Sequence, residues 1–298
     1  MFQLSNPTNN CELFDPATGT WANTGNLKSD RWEHTATLLP DGRVLVAGGT
    51  DPANGSSQTK ISAELYDPAT GTWTNTAPLP SPHWLHSATL LSNGKVLLAG
   101  SVFVDTNGTY RSSNYADLYD PVAGTWTNTG FMNTARCRHT ATLLPNGQVL
   151  ITGGSFNGVY NAQRSAELYD PLTATWKNAA AAMNMPRYHH RATLLPDGRV
   201  LIAGGSGSCC GNVTNLSSAE LYVPFTLNVV SSNAWTATNG SQLQADGIYA
   251  SNSVVLYASA SLTNWQPILT NGPATGSVQF LDMEATNWLK RFYKASQR

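Results

Sequence analysis

One pattern governs what this chain can fold into: it repeats itself about every fifty residues. Glu12-Leu13-Phe14-Asp15-Pro16 returns as Glu64-Leu65-Tyr66-Asp67-Pro68, as Asp117-Leu118-Tyr119-Asp120-Pro121 and as Glu167-Leu168-Tyr169-Asp170-Pro171. A degenerate fifth copy, Glu220-Leu221-Tyr222-Val223-Pro224, follows. The first four are trailed by Trp21, Trp73, Trp126 and Trp176, at intervals of 52, 53 and 50 residues. Between them lies a second block: His34-Thr35-Ala36-Thr37-Leu38-Leu39, with counterparts starting at His86, His139 and His190. Asp41-Gly42, Asn93-Gly94, Asn146-Gly147 or Asp197-Gly198 comes next, then an apolar run ending at Gly48-Gly49, Gly100, Gly153-Gly154 or Gly204-Gly205. A fixed period of this length is the signature of a repeat architecture.

Each block carries a local instruction. Asn-Gly or Asp-Gly between two β-rich runs is a strong hairpin signal, and a two-residue type I′ turn is the expectation. Thr35–Leu39 and Val44–Ala47, with their equivalents, are therefore strands one and two of a unit. Leu13–Phe14 and Thr20–Trp21 flank Asp-Pro-Ala-Thr-Gly, a second turn, which gives strands three and four. Thr, Ala and Leu run together without clean alternation, as in sheets covered on both faces. Helical spacing enters only at Met283–Trp288. Four-stranded units repeated in this way and stacked face to face form an all-β propeller.

The Gly-Gly pair, the Tyr-Asp-Pro, the Trp and the Arg- or His-bearing approach to strand one resemble the kelch family of β-propellers, over about residues 11 to 222. The resemblance implies that the glycines let neighbouring blades approach and that the Tyr and Trp pack between them. It divides the chain into a kelch-type propeller of four to five blades at 1–225 and a small β-rich domain at 226–298. The latter, with strands expected at Ser253–Ser259, Asn264–Leu269, Gly276–Asp282 and Lys290–Ala295, resembles the small β-sandwich appended to many secreted bacterial proteins. That likeness implies an extracellular or cell-envelope location, although Met1–Pro7 has neither the basic nor the apolar region of a signal peptide. Strand three occurs five times and the strand-one hairpin four times, so the sequence starts in mid-blade. A part of a longer product, a small ring and self-association through incomplete blades all meet that count, and the first is the expectation.

Composition narrows the partners. Only 12% of residues are charged, against roughly a quarter in most globular chains, and net charge is −1. Neither nucleic acid nor an anionic membrane is an expected partner, and no apolar run approaches the ~18 residues of a membrane span. Abundant Asn and Thr suit hydrogen bonding to a neutral protein or glycan. No phosphate-cradling Gly loop and no Ser nucleophile elbow is present.

The repeats also serve as their own comparison: a position shared by all blades is explained by the blade, and one that differs is open to a ligand. The strand two-to-three connections (50–60, 101–114, 155–164 and 206–217) diverge and carry Phe103, Tyr110, Arg111, Phe156, Tyr160 and Cys209-Cys210. The approach to strand one reads Arg31-Trp32, His83-Trp84, Arg136-Cys137 and Arg187-Tyr188. Stacking and bidentate groups there, at a channel mouth, suit a sugar, an aromatic or a carboxylate. Trp32, Trp84, His83, Arg136, Arg187, Tyr188, Tyr110 and Tyr160 are thus the expected ligand-binding set, in a non-catalytic module without cofactor. His34, His86, His139 and His190, one per blade, are read as structural bonds to neighbouring backbone rather than as metal ligands. The alternative is enzymatic. The fourth blade resembles one of the galactose and glyoxal oxidases, which implies copper on Tyr188 and His189 and Cys137 as the partner of a thioether crosslink. Against it, no histidine follows His190, where that family takes its second one. The four cysteines allow three pairings, and a bond from Cys209 or Cys210 to Cys11 would staple the ring.

Overall fold

The computed structural model describes residues 9–51, 58–156, 161–209 and 212–224, together with the backbone of six later strands. Every regular element among them is a strand. The chain divides into two units, Met1–Leu221 and Tyr222–Arg298.

The first unit opens on a two-stranded ribbon, β1 (Glu12–Asp15) and β2 (Thr20–Asn23). The first blade is β3 (Thr35–Leu38), β4 (Val44–Ala47), β7 (Ala63–Asp67) and β8 (Thr72–Asn75), antiparallel in the order β3-β4-β7-β8. A short ribbon, β5 (Thr50–Asp51) and β6 (Gln58–Thr59), rises between its second and third strands. In the second blade, β9 (Ser87–Leu90), β10 (Val96–Val104), β11 (Tyr110–Asp120) and β12 (Thr125–Asn128), that ribbon is fused into the long central pair. The third is β13 (Thr140–Leu143), β14 (Val149–Thr152), β15 (Ala166–Asp170) and β16 (Thr175–Asn178). The fourth has three strands, β17 (Arg191–Leu194), β18 (Val200–Ala203) and β21 (Ala219–Tyr222), plus the ribbon β19 (Ser206–Cys209) and β20 (Asn212–Asn215).

The second unit holds two three-stranded antiparallel sheets. One is β22 (Thr226–Ser231), β23 (Ser241–Ile248) and β26 (Gly276–Asp282); the other is β25 (Gln266–Asn271), β24 (Val254–Ser259) and β27 (Phe292–Gln297). Four of the six fall where the sequence placed strands, and β22 and β23 are additional. Met283–Trp288 lies outside the described residues.

The strand-one turns differ from the expected type. Gly42, Gly94, Gly147 and Gly198 have positive φ, but the Asp or Asn before each does not, whereas type I′ needs both. Gly42 donates its amide to the Leu39 carbonyl and Leu39 donates to Arg43. That is a three-residue loop, a type I turn closed by a left-handed glycine. Pro40, Pro145 and Pro196 favour it, since a proline ring fixes the φ that the first central residue of a type I turn requires, and Ser92 adopts the same turn in the second blade.

The cores lie between sheets. Leu45, Ala47, Leu65 and Leu79 of the first blade pack on Val96, Leu98, Tyr119 and Trp126 of the second, and Leu97, Ala99, Ala116 and Met132 on Val149, Ile151 and Tyr169 of the third. Buried on both faces, β4, β10 and β14 read as continuous apolar runs. Polar latches repeat at each joint. Toward the hub, the Nε2 atoms of His86, His139 and His190 lie 2.9, 2.8 and 3.0 Å from the hydroxyls of Thr35, Ser87 and Thr140 on the preceding blade. Toward the rim, the Tyr66, Tyr119 and Tyr169 hydroxyls lie 2.6, 2.9 and 2.5 Å from those of Thr24, Thr76 and Thr129. These histidines thus meet side-chain hydroxyls across the joint, not the backbone expected from sequence. The latch has three departures: Phe14 stands in the tyrosine position, Ala179 in the threonine position and Arg191 in the hub hydroxyl position. The pair Phe14–Trp21 stacks like the other Tyr–Trp pairs, yet Leu13, Phe14 and Trp21 are exposed where their counterparts are covered.

Candidate functional site

The diverging connections and the approaches to strand one meet on one face. Trp32 exchanges amide bonds with Thr50, Cys137 with Ser155, and Tyr188 with Ser206, while Val102 donates to the Trp84 carbonyl. In each blade the residue after the glycines is thereby tied to the same point of the approach. Close contact makes this possible: a Cβ on Gly154 would lie 2.7 Å from the Cys137 carbonyl oxygen, and one on Gly205 2.6 Å from that of Tyr188.

The charged members of the predicted site are not at a mouth. Arg31, His83, Arg136 and Arg187 are buried inside their blades. Arg136 donates to the carbonyls of Gly153 and Ser165 and reaches Glu167 at 2.7 Å, and Arg31 and Arg187 repeat the arrangement with Glu64 and Glu220. Each glutamate then accepts the next backbone amides, Glu167 those of Asn133 and Thr134. In the second blade the pair is remade at shorter reach, His83 Nε2 on Asp117 at 3.0 Å with Nδ1 on the Gly100 carbonyl. Buried and with their charges matched inside the scaffold, His83, Arg136 and Arg187 leave the ligand set. The repeats held the signal: arginine accompanies glutamate three times and histidine accompanies aspartate once.

The aromatic members remain at the face. Trp84 is half-buried, and its ring lies 5.9 Å from that of Tyr110 on β11, tilted by 59°. Tyr110 is 38% exposed, and Val104 and Phe156 lie open on the same connections. Trp32 is half-buried, Tyr188 is buried, and Tyr160 falls outside the described residues.

Copper does not fit the described residues. The Tyr188 and His189 rings are neighbours at 5.4 Å, but Tyr188 is buried while His189 is exposed. The Cys137 thiol, its pKa raised by burial, sits against Ser112 and the Ser155 carbonyl. Among the described residues, no three histidine, cysteine or acidic side chains gather as a metal site would need. Cys11 is a free thiol directed at the Asn9 carbonyl, and Cys210, offered as its partner, lies outside the described residues.

Sequence reasoning missed a further position. Between the aromatic and the hub histidine of each approach stands one residue with left-handed backbone: Glu33, Leu85, Arg138 and His189, at φ 50 to 55°. Arg138 donates its amide to the Leu85 carbonyl and His189 to that of Arg138, linking successive blades. The signal was a residue that changes in every blade directly before a histidine that never does.

Comparison with known proteins agrees with this architecture. The Kelch motif family model matches residues 31–80 and 136–182. A kelch-like protein of Aspergillus terreus is 28% identical over 146 residues, 47% of this chain and 31% of that protein. An F-box/kelch-repeat protein of Arabidopsis thaliana is 32% identical over 113 residues, 38% of this chain and 28% of that protein. Galactose oxidase of Gibberella zeae is 26% identical over 195 residues, 62% of this chain and 28% of the enzyme. The chain thus spans less than a third of the length of each of these relatives. The solved structure of YjhT superimposes with a TM-score of 0.54 at 16% identity, covering 68% of this chain and 74% of that one, a likeness of fold. Its repeats, its blades and the motif matched in two of them make this chain a kelch-repeat β-propeller protein.

Proposed function

We propose that the chain is a non-catalytic recognition module that takes a protein partner on the face carrying the strand two-to-three connections. One observation carries this reading: a scaffold repeated nearly residue for residue presents its most divergent segments, in length and sequence, on that face. Function collects on variable loops held by a rigid frame, and aromatic groups such as Tyr110 over Trp84 anchor protein interfaces. The opposite face repeats the same Asp-Gly and Asn-Gly turns. Export is part of the proposal, motivated by the strand-rich second unit, and fractionation of the native cells tests it.

A photo-crosslinking residue placed at Tyr110, and separately at Val122 on the turn face, distinguishes the faces inside the native cell. Protein adducts from position 110 and none from 122 support the proposal, and the reverse refutes it. A glycan is the second reading, favoured by the exposed tyrosine and the sparse charge. Binding on a glycan array that disappears in Tyr110→Ala, with no protein adducts, would establish it instead.

A further inference from the structure

Asparagine is used in two ways along this chain. In the blades its side chain serves the scaffold: Asn93, Asn128 and Asn146 accept the amides of Lys95, Gly130 and Gln148. In the connections between strands two and three a different pattern appears, Asn-x-Ser/Thr, the acceptor motif for N-linked sugar. Nineteen asparagines precede Tyr222, and four of them open that motif: Asn54, Asn107, Asn212 and Asn215. All four fall in the connections 50–60, 101–114 and 206–217. Of the twelve asparagines outside the connections only Asn6 has a Ser or Thr two residues on, and Pro7 between them disqualifies it.

Asn107 stands at the tip of the β10–β11 hairpin, and there Asp105 rather than the asparagine holds the turn. Asp105 Oδ1 accepts the amides of Asn107 and Thr109 at 3.0 and 2.9 Å, and its Oδ2 accepts from Arg111 Nε at 3.1 Å. The Asn107 side-chain amide and the Thr109 hydroxyl are left exposed, with no hydrogen bond among the described residues. Gly108 separates them at φ 76°, and a Cβ placed on it would meet nothing within 4 Å, so the tip stands open. Asn215 on the fourth connection is exposed as well, but its Oδ1 lies 3.4 Å from the Ser206 hydroxyl. Asn54 and the Asn212 side chain lie outside the described residues.

We infer that Asn107 is a glycosylation site, the acceptor of an oligosaccharide from a polyprenyl-diphosphate donor. The Asn107 Nδ2 forms a bond to the anomeric carbon of the sugar as the bond from that carbon to the diphosphate oxygen breaks. The diphosphate leaves with the electron pair, and the amide gives one proton to a base of the transferase. Because Asp105 carries the turn, the amide and the Thr109 hydroxyl are available without any part of the blade opening. The sugar has a physical use on this face. Ribbons raised from a sheet offer unpaired edges to other chains, and charged side chains ordinarily blunt them. Connection 206–217 has no charged residue, and connection 101–114 has only Asp105 and Arg111, which pair with each other. A bulky, solubilising glycan supplies the protection that charge does not. The inference rests on the export proposed above, where such donors and transferases act, and not on the partner of the face.

The test recovers the protein from its native cells after fractionation and reads the peptide that holds Asn107 by fragmentation mass spectrometry. A sugar mass on Asn107 is the expected result. Asn107→Gln and Thr109→Ala, introduced in the native gene, should each abolish it, and Thr109→Ser should retain it. Both positions are exposed, so the variants keep the fold, which unmoved far-ultraviolet circular dichroism verifies. Asn93 and Asn146, each followed by glycine but with Lys95 or Gln148 in the hydroxyl position, are the internal controls and should stay bare. A chain found outside the cytoplasm with Asn107 bare overturns the site and leaves export standing; a bare chain found in the cytoplasm overturns both. Sugar that survives Thr109→Ala, or that also appears on Asn93 or Asn146, refutes the acceptor assignment, since attachment would then ignore the motif.

Discussion

Cutting the buried ion pair of the third blade shows how the propeller is held. Arg136 and Glu167 have fully buried side chains joined at 2.7 Å. Removing either partner strands a charge, which costs about 3–5 kcal/mol, but the two losses are unequal. Glu167→Leu leaves the arginine and two backbone donors, Asn133 N–H and Thr134 N–H, without an acceptor. Each orphaned donor adds about 1–3 kcal/mol, which places this variant at or beyond the top of the range. Arg136→Met leaves a carboxylate still held by those two amides, and falls near the bottom. At about 2–4 °C per kcal/mol for a unit of this size, the melting temperature should drop by roughly 10 °C for Arg136→Met and further for Glu167→Leu. The second blade supplies the rescue, since His83–Asp117 does the same task with both side chains shortened. Arg136→His with Glu167→Asp should therefore cost less than the two single changes summed, by at least about 1 kcal/mol of coupling. Tyr115 replaces the serine that assists the arginines in the other blades, so recovery stays incomplete. Guanidinium unfolding followed by tryptophan fluorescence reads the two truncations, Arg136→His, Glu167→Asp, their double variant and the parent. Single variants each costing under 1 kcal/mol, or strictly additive losses, would refute the account of a closed internal network.

Further expectations are simpler. Burial lowers the pKa of His139 to about 3 and of His190 to about 4, with His86 well below its usual value. The unfolded chain then takes up protons first, so stability should decline as pH falls below about 6.5, by on the order of 1–2 kcal/mol per histidine at pH 5. Urea midpoints unchanged between pH 7 and 5 would contradict this. Gly153→Ala puts a Cβ 2.5 Å from the Arg187 carbonyl oxygen at φ 59° and should cost several times the ~1 kcal/mol of Gly42→Ala, which has φ 88° but open space; equal melting temperatures would refute the close-approach argument. Trp73→Phe loses an indole bond to the Gly25 carbonyl at 2.8 Å and should lose about 1 kcal/mol more than Trp126→Phe, whose indole nitrogen has no partner among the described residues.

The blades were legible because their rules are local and repeated: a turn triplet, an apolar run, a double glycine. Turn type was misread because the Asn-Gly and Asp-Gly pairs dominated the reading and the residue before each, proline in three blades, was given no weight. The site was harder. Arg136 and Arg187 look like ligand groups in one dimension because their glutamates lie 31 and 33 residues away, and only folding shows the charge already matched. Conversely Glu33, Arg138 and His189 look like noise until φ shows that all three occupy one strained position.

The hydroxyl latches imply that the seams of the propeller are of unequal strength. Where Tyr119 and Tyr169 grip a threonine, each seam is clasped at hub and rim alike. The seam after the third blade offers Ala179 at its rim, so its clasp is one-sided, relying on His190 and on the ties of Glu220. Under heat or mechanical tension the stack should open there first, hinging about the axle with three blades still clasped, much as a book parts at the leaf with a missing stitch.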